Sequence, residues 1–216
     1  MSCRHPIVTA RGVSTYRELV SRWQSDARGR LERAALELFV EQGFAATTVP
    51  QITARAGLTT RTFFRHFADK REVLFGGDEV PAYATGLMRE APASLDPITL
   101  VVQGLRTVAQ NRFEGRADEL RVRRDIICSD GGLRERDLRK RAALADAIRQ
   151  GFLDRGIDAP TGTLAAELSV SVLHIALEQW LDQDGDRPLF DFVLDTLKAL
   201  QDLLTAVPST QTRNAS

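Results

Sequence analysis

TTVPQITARAGLTTRTFFRHFADK, residues 47–70, is the stretch whose reading decides how this chain folds. Thr48 followed three residues later by Gln51 forms a capping box, in which two side chains satisfy backbone N–H groups left over at a helix start. Pro50 suits the first helical turn, where no intrahelical N–H is needed. Ile52 and Ala56 then share one face, and Gly57 ends the element because it reaches positive φ without a Cβ clash. Leu58 supplies an apolar plug, and Thr59 caps a third helix running to about Phe67. Two short helices joined by a tight turn at Ala56–Gly57–Leu58 make a helix-turn-helix pattern.

Working outward, LERAALELFVEQGF, residues 31–44, places Leu31, Ala34, Ala35, Leu38 and Phe39 at helical spacing with charged residues between them. Ser25 and Asp26 suit the start of that helix and Gly43 its end. Phe63 and Phe67, four apart, read as the core that holds three helices together, which leaves Phe64 off the stripe and exposed.

A helix-turn-helix sets its last helix in the major groove with the early residues toward base edges. Here those residues are Thr59, Thr60, Arg61, Thr62 and Arg65, with Phe64 and His66 close behind. Arg61 can fork onto guanine O6 and N7, and a threonine methyl can meet a thymine methyl. Thr48 and Lys70 suit phosphates. Thr48 and Thr59 serve equally as helix caps, and His66 reads either as a groove contact or as a packed histidine. With no acid or second histidine at a useful helical spacing from His66, no metal site is expected.

Residues 47–70 and 31–44 together closely resemble the signature of TetR-family transcriptional regulators. The family pattern has an Ala-Ala-Leu-Phe first helix ending in Gly-Phe, then Thr-Thr-Val, an Ile-Ala pair and a recognition helix carrying Tyr and closed by Phe and Lys. Here the pair is Ile52-Thr53, Thr59 matches the capping Ser, Phe64 the usual Tyr and Lys70 the Lys. The resemblance implies backbone contacts at Thr48, Thr59, Phe64, His66 and Lys70, and base reading by Thr60, Arg61 and Arg65. The exchange of Tyr for Phe removes a hydroxyl and with it one phosphate hydrogen bond. The resemblance spans roughly 45 residues and implies, for the remainder, a helical effector-binding and dimerisation domain working as a homodimer on an operator in duplex DNA.

The expected fold is therefore all-α with about nine helices: a three-helix head and a six-helix effector-binding and dimerisation body. The expected divisions are an extension at 1–24, the DNA-binding head at 25–75, the body at 76–207 and a frayed tail at 208–216. Body helices are expected at about 71–89 (kinked or broken at Gly76–Gly77 and Pro81), 97–113, 117–128, 133–153, 163–181 and 189–207, with breaks at Gly115, Gly131–Gly132, Pro160–Gly162 and 182–187. Gly76–Gly77 would lie at the joint between head and body. Leu168, Val172, Ile175 and Trp180, with Phe190, Leu194 and Leu197 on the last helix, are candidate dimer contacts. Phe113, Arg123, Ile127, Phe152, His174 and Glu178 are candidate effector contacts, and Ile126, Cys128, Leu173 and Gln179 lie near them in the pattern. The run RERDLRKR, residues 134–141, alternates acids with bases at i,i+4 spacing and reads as a solvated helix face.

Charge supports a two-part reading. The whole chain balances 29 basic against 29 acidic residues, yet residues 1–75 carry 12 against 7, a basic head on an acidic body. Hydrophobic residues at 43% and charged residues at 27% fit a soluble globular protein. Cys3 and Cys128 give neither a disulfide framework nor metal-ligand spacing. No secretory signal or run of 18 apolar residues is apparent, so a cytoplasmic location is expected, and no cofactor. Arginine far outnumbers lysine, as in bacteria with GC-rich genomes. The function expected is a repressor binding a palindromic operator as a homodimer and released by a small, mostly apolar effector. An activator or architectural DNA-binding protein is the alternative. A helical enzyme is remote, since CxxC, HExxH, GxSxG and phosphate-binding glycine loops are all lacking.

Overall fold

The computed structural model describes residues 27–75, 79–183 and 185–206. Among them lie nine α-helices and no strand. The readings placed on 1–24, Ser25, Asp26, Gly76–Gly77 and 208–216 fall outside the described residues.

The head comprises α1 (Ala27–Gln42), α2 (Val49–Ala56) and α3 (Thr60–His66). In α1 the apolar stripe Leu31, Ala34, Ala35, Leu38 and Phe39 is buried, and Gly43 stops the helix at φ 86°. The capping box forms as the sequence dictates: Thr48 accepts from the Gln51 N–H, while the Gln51 side chain reaches back to Thr48 N at 2.8 Å. Gly57 closes α2 in the left-handed region, φ 62°. Arg30 donates to the carbonyl of Ala56, so α1 holds the turn between α2 and α3. On the other side of α2, Arg55 bridges Glu37 and Glu41 of α1 at 3.3 and 2.8 Å.

The chain then makes a single 3-10 turn, Glu72–Leu74, and enters the body: α4 (Glu79–Glu90), α5 (Pro97–Val108), α6 (Ala117–Ser129), α7 (Gly131–Asp154), α8 (Ala159–Asp182) and α9 (Leu189–Thr205). Three boundaries differ from the sequence reading, each for a local reason. Gly131–Gly132 and Pro160–Gly162 are not breaks but first turns, because Asp130 and Asp158 just ahead cap α7 and α8 by accepting from Leu133 N and Thr161 N. The helix expected over 97–113 ends at Val108 and continues as one π-helical turn, Ala109–Phe113, closed by Glu114 N–H donating to the Ala109 carbonyl at 3.0 Å. The piece expected over 71–89 as kinked or broken comes in two parts, the 3-10 turn and α4, as that reading allowed.

Two apolar clusters form. The first joins the head helices through Leu31, Phe39, Ile52, Phe63, Phe67 and Val73, and it takes in Ile126 of α6 and Leu133 of α7. The second, deeper in the body, gathers α5, α7, α8 and α9 around Leu105, Phe152, Val172, Ala176, Leu189 and Val193. Head and body thus share a packed seam.

Candidate nucleic-acid interface and effector cavity

Helix α3 is seven residues long, too short to persist in water on its own, so its position is set from beneath. Phe63 is fully buried and stacks at 5.3 Å on Phe67, with Phe64 edge-on to it at 5.4 Å. Thr59 fixes the start by accepting from Thr62 N at 3.2 Å. The outward face then carries Thr60, Arg61, Phe64 and Arg65, all exposed, Phe64 at 59%. Among the described residues, the guanidinium groups of Arg61 and Arg65 have no hydrogen-bond or ion-pair partner in the protein. Thr48 and Thr59 stand exposed at the starts of α2 and α3, where cap and phosphate contact are compatible.

Three residues of the expected set are held differently. Thr62 is half-buried, with its hydroxyl 3.0 Å from that of Thr59 inside the cap. His66 turns Nε2 into the protein, where it is buried without a partner, so that nitrogen is not offered to DNA. Lys70 points inward: its ammonium donates to the carbonyls of Phe44, Ala45 and Thr47 at 2.8, 3.3 and 2.7 Å and lies 4.4 Å over the Phe44 ring. All three of its hydrogens are committed to the turn between α1 and α2. Burial, with Arg71 nearby, lowers its pKa. The structure therefore makes Lys70 a clamp of the head rather than a phosphate contact.

Behind the head, ion pairs gather on the 3-10 turn. The Glu72 carboxylate is almost fully buried and accepts from Arg136 and, at 2.7 Å, from Lys140 of α7. Arg136 also reaches Asp69 at 3.2 Å. Burial alone would push the Glu72 carboxyl pKa up, but the hydrogen bonds and charges of Lys140 and Arg136 outweigh it and hold it below the usual value. The run 134–141 is thus not simply a solvated face, because one side of it fastens the body to the head. Arg123 of α6 does the same. It donates to the Val73 carbonyl at 2.7 Å and to Glu119 at 2.8 Å, with Glu32 of α1 at 3.5 Å. Arg123, expected as an effector contact, is a buried strut whose Nε, Nη1 and Nη2 each already donate within the protein, and Ile126 beside it belongs to the head cluster.

A cavity of about 700 Å³ lies among α4 to α8. Phe113, Arg123, Ile127, Phe152, His174 and Glu178 all line it, as do Cys128, Leu173 and Gln179. Its lining is chiefly apolar, as small-molecule sites are. Its polar groups lie mainly on α6, α7 and α8, where Arg124 pairs with Asp182 at 2.7 Å and Arg141 with Asp137. Burial, aided by Arg141, lowers the pKa of His174 against the opposing charges of Glu178 and Asp137. Burial raises that of Asp125 despite Arg124. Tyr83 of α4 and Arg112 of the π turn also line the cavity. Sequence reasoning missed both; for Arg112 the cause is that a π turn leaves no periodic signal.

The candidate dimer residues divide. Val172, Trp180 and Phe190 are buried within the protomer, Trp180 donating to the Arg187 carbonyl at 3.0 Å and Phe190 lying 4.4 Å beneath Arg106. They are core, because α8 is covered by both α7 and α9 and needs apolar residues on more than one face. Leu168 and Leu197 are half-buried against the body cluster. Ile175 and Leu194 are exposed at 45% and 44%, joined by Leu164 on α8 and by Leu203 and Leu204 near the end of α9. The same double packing explains why α8, by length and composition, is the one described helix apolar enough to cross a membrane. No group of three His, Cys, Asp or Glu among the described residues is placed to hold a metal ion.

Comparison with known proteins falls on the head. The family described as "Bacterial regulatory proteins, tetR family" matches residues 32–75. The chain is 56% identical over 46 residues to the HTH-type transcriptional regulator TcmR of Streptomyces glaucescens, 21% of this chain and 20% of that one. It is 32% identical over 94 residues to the HTH-type transcriptional activator FasR of Mycolicibacterium smegmatis, 44% of this chain and 37% of that one. The chain thus spans well under half the length of these curated relatives. A solved structure from Syntrophomonas wolfei, assigned to the TetR-family regulators, shares the fold at a TM-score of 0.58 and 15% identity, covering 85% of this chain and 97% of that one.

Proposed function

We propose, from the match of residues 32–75 to the family described as "Bacterial regulatory proteins, tetR family", that the chain is a ligand-responsive transcriptional repressor of that family. It binds a palindromic operator as a homodimer and leaves it when a small, mostly apolar effector fills the body cavity. The observation that carries this reading is the outer face of α3, where Arg61 and Arg65 stand exposed and, among the described residues, unpaired on a helix locked from below by Phe63. Thr60, Arg61 and Arg65 read base edges, while Thr48, Thr59 and Phe64 lie along the backbone.

One α3 meets only a few base pairs, so a second copy related by a twofold axis is required, with half-site centres about 34–36 Å apart or a multiple of it. The exposed apolar residues Leu164, Ile175 and Leu194 of α8 and α9 form the dimer face. The DNA-binding head is residues 25–75, and the effector-binding and dimerisation body residues 76–207.

Release follows from the struts. Arg123 and Lys140 line the cavity and also hold Val73 and Glu72 at the joint, so a ligand that displaces this wall moves the head. Moving the population from 1:99 to 99:1 needs an effector preference of about 5.5 kcal/mol between the two head positions. The test is selection of bound sites from random duplex DNA. A palindromic consensus is expected; recovery of no sequence preference would refute the reading. Because one relative is an activator, activation is the second reading, and reporter output with the gene deleted separates the two: a rise means repression, a fall activation.

A further inference from the structure

Most cations around the body cavity already have a partner in the protein. Arg124 has Asp182 at 2.7 Å, with Glu178 and Asp125 at 3.9 Å. Arg141 has Asp137, Lys140 has Glu72 and Arg123 has Glu119, while Arg134 donates to the Cys128 carbonyl. Arg112 differs. It is half-buried in the cavity wall, and among the described residues its N–H groups have no acceptor and its charge no carboxylate within 4 Å. Its guanidinium instead lies 5.3 Å from the centre of the Tyr83 ring. The Tyr83 hydroxyl accepts from the Asn111 side chain at 3.3 Å, which steadies that ring.

The backbone explains how Arg112 comes to be there. The π turn Ala109–Phe113 adds a residue to one helical turn, and Arg112 and Phe113 both line the cavity from it. Such turns recur at functional sites. An unpaired guanidinium at a half-buried site attracts an anion more strongly than one in water. The carboxylates around Arg124 differ in setting, with side chains 45% to 71% exposed, where water and salt screen them.

We propose that the cavity takes an amphipathic anion, with its apolar body among Leu105, Phe113, Leu120, Phe152, Leu173 and Leu177 and its carboxylate, sulfonate or phosphate-type head on Arg112. The assignment rests on the reading of this cavity as the effector site and narrows its ligand class.

Two dyes with the same ring system test it on the full chain: anilinonaphthalene sulfonate, which is anionic, and phenylnaphthylamine, which is neutral. Fluorescence titration should show the anion bound at least about tenfold more tightly than the neutral dye, the worth of one charge-assisted contact. Arg112→Gln should erase that preference while leaving the neutral dye's affinity unchanged, which also shows the fold intact. Arg112→Lys should restore part of it. Leu173→Trp, which fills the cavity, should lose both dyes. Equal affinities in the wild type, parallel loss of both dyes in Arg112→Gln, or retention of the anion by Leu173→Trp would each overturn the assignment. The titrations contain no DNA, so a failure of operator release leaves them untouched and counts against the regulatory reading alone.

Discussion

Arg61 and Arg65 stand one helical turn apart on α3, and among the described residues, unlike Arg30 and Arg55, their guanidinium groups have nothing to bind. Arg30 is used on the turn carbonyls and Arg55 on Glu37 and Glu41. Arg61→Ala should therefore weaken binding to the preferred operator by about 1–3 kcal/mol and relax preference at one base position, measured on a panel of single-base operator variants. Loss of the same size on every sequence would make Arg61 a phosphate contact instead. Lys70 behaves in the opposite way. Lys70→Met removes three hydrogen bonds to main-chain carbonyls and should lower stability by about 1.5–3 kcal/mol in urea unfolding. The salt slope of DNA binding should stay unchanged, since no phosphate is lost. At this scale the sequence was legible wherever a role depends on near neighbours. Thr48, Gln51, Thr59 and Phe63 announce caps and core by spacing alone. The carbonyls that hold Lys70 lie more than twenty residues away in the chain, and no local pattern carries that.

Among the elements, the 3-10 turn Glu72–Leu74 bears the load between head and body. Glu72 keeps its charge in a nearly buried position because Arg136 and Lys140 both bond to it. Its folded pKa lies below the unfolded value of about 4.3, so its stabilisation is fully present above that pH and is lost as pH falls through the folded value. Glu72→Gln should cost about 2 kcal/mol at neutral pH, between the worth of exposed and of fully buried pairs. The gap between wild type and variant should close below about pH 4 in acid-unfolding curves; a gap that persists there would mean that charge is not what holds the joint. Gly57 ends α2 at φ 62°, and a Cβ there would stand 3.0 Å from Arg30 Nη2. Gly57→Ala should accordingly destabilise the head by about 1–2 kcal/mol, seen as a lower unfolding midpoint. The helix count and the ends of α1 and α2 were readable from caps and glycines. The π turn was not, nor was the fact that Gly131 and Pro160 open helices, because an aspartate cap reassigns the residues after it from break to first turn.

For the whole molecule, the difficulty in reading α8 is that it packs on two sides within one protomer and, under the proposed dimer, on a third. Periodicity shows that Val172, Ile175 and Trp180 are apolar; it does not show which neighbour covers each. Burial separates them and leaves Leu164, Ile175 and Leu194 facing outward. Charges at two of these places, Ile175→Glu with Leu194→Glu, should convert a dimer to a monomer in sedimentation velocity and weaken operator binding, with helical content retained. An unchanged sedimentation coefficient would move the interface elsewhere. The claim beneath all of this is that the exposed face of α3 reads DNA sequence. It is tested most directly by the ratio of operator affinity to random-duplex affinity for Arg61→Ala, Arg65→Ala, at fixed salt and with the fold checked by its melting curve. The account predicts that the ratio falls toward one while weak, salt-dependent binding to any duplex persists; a ratio equal to that of the wild type would contradict it.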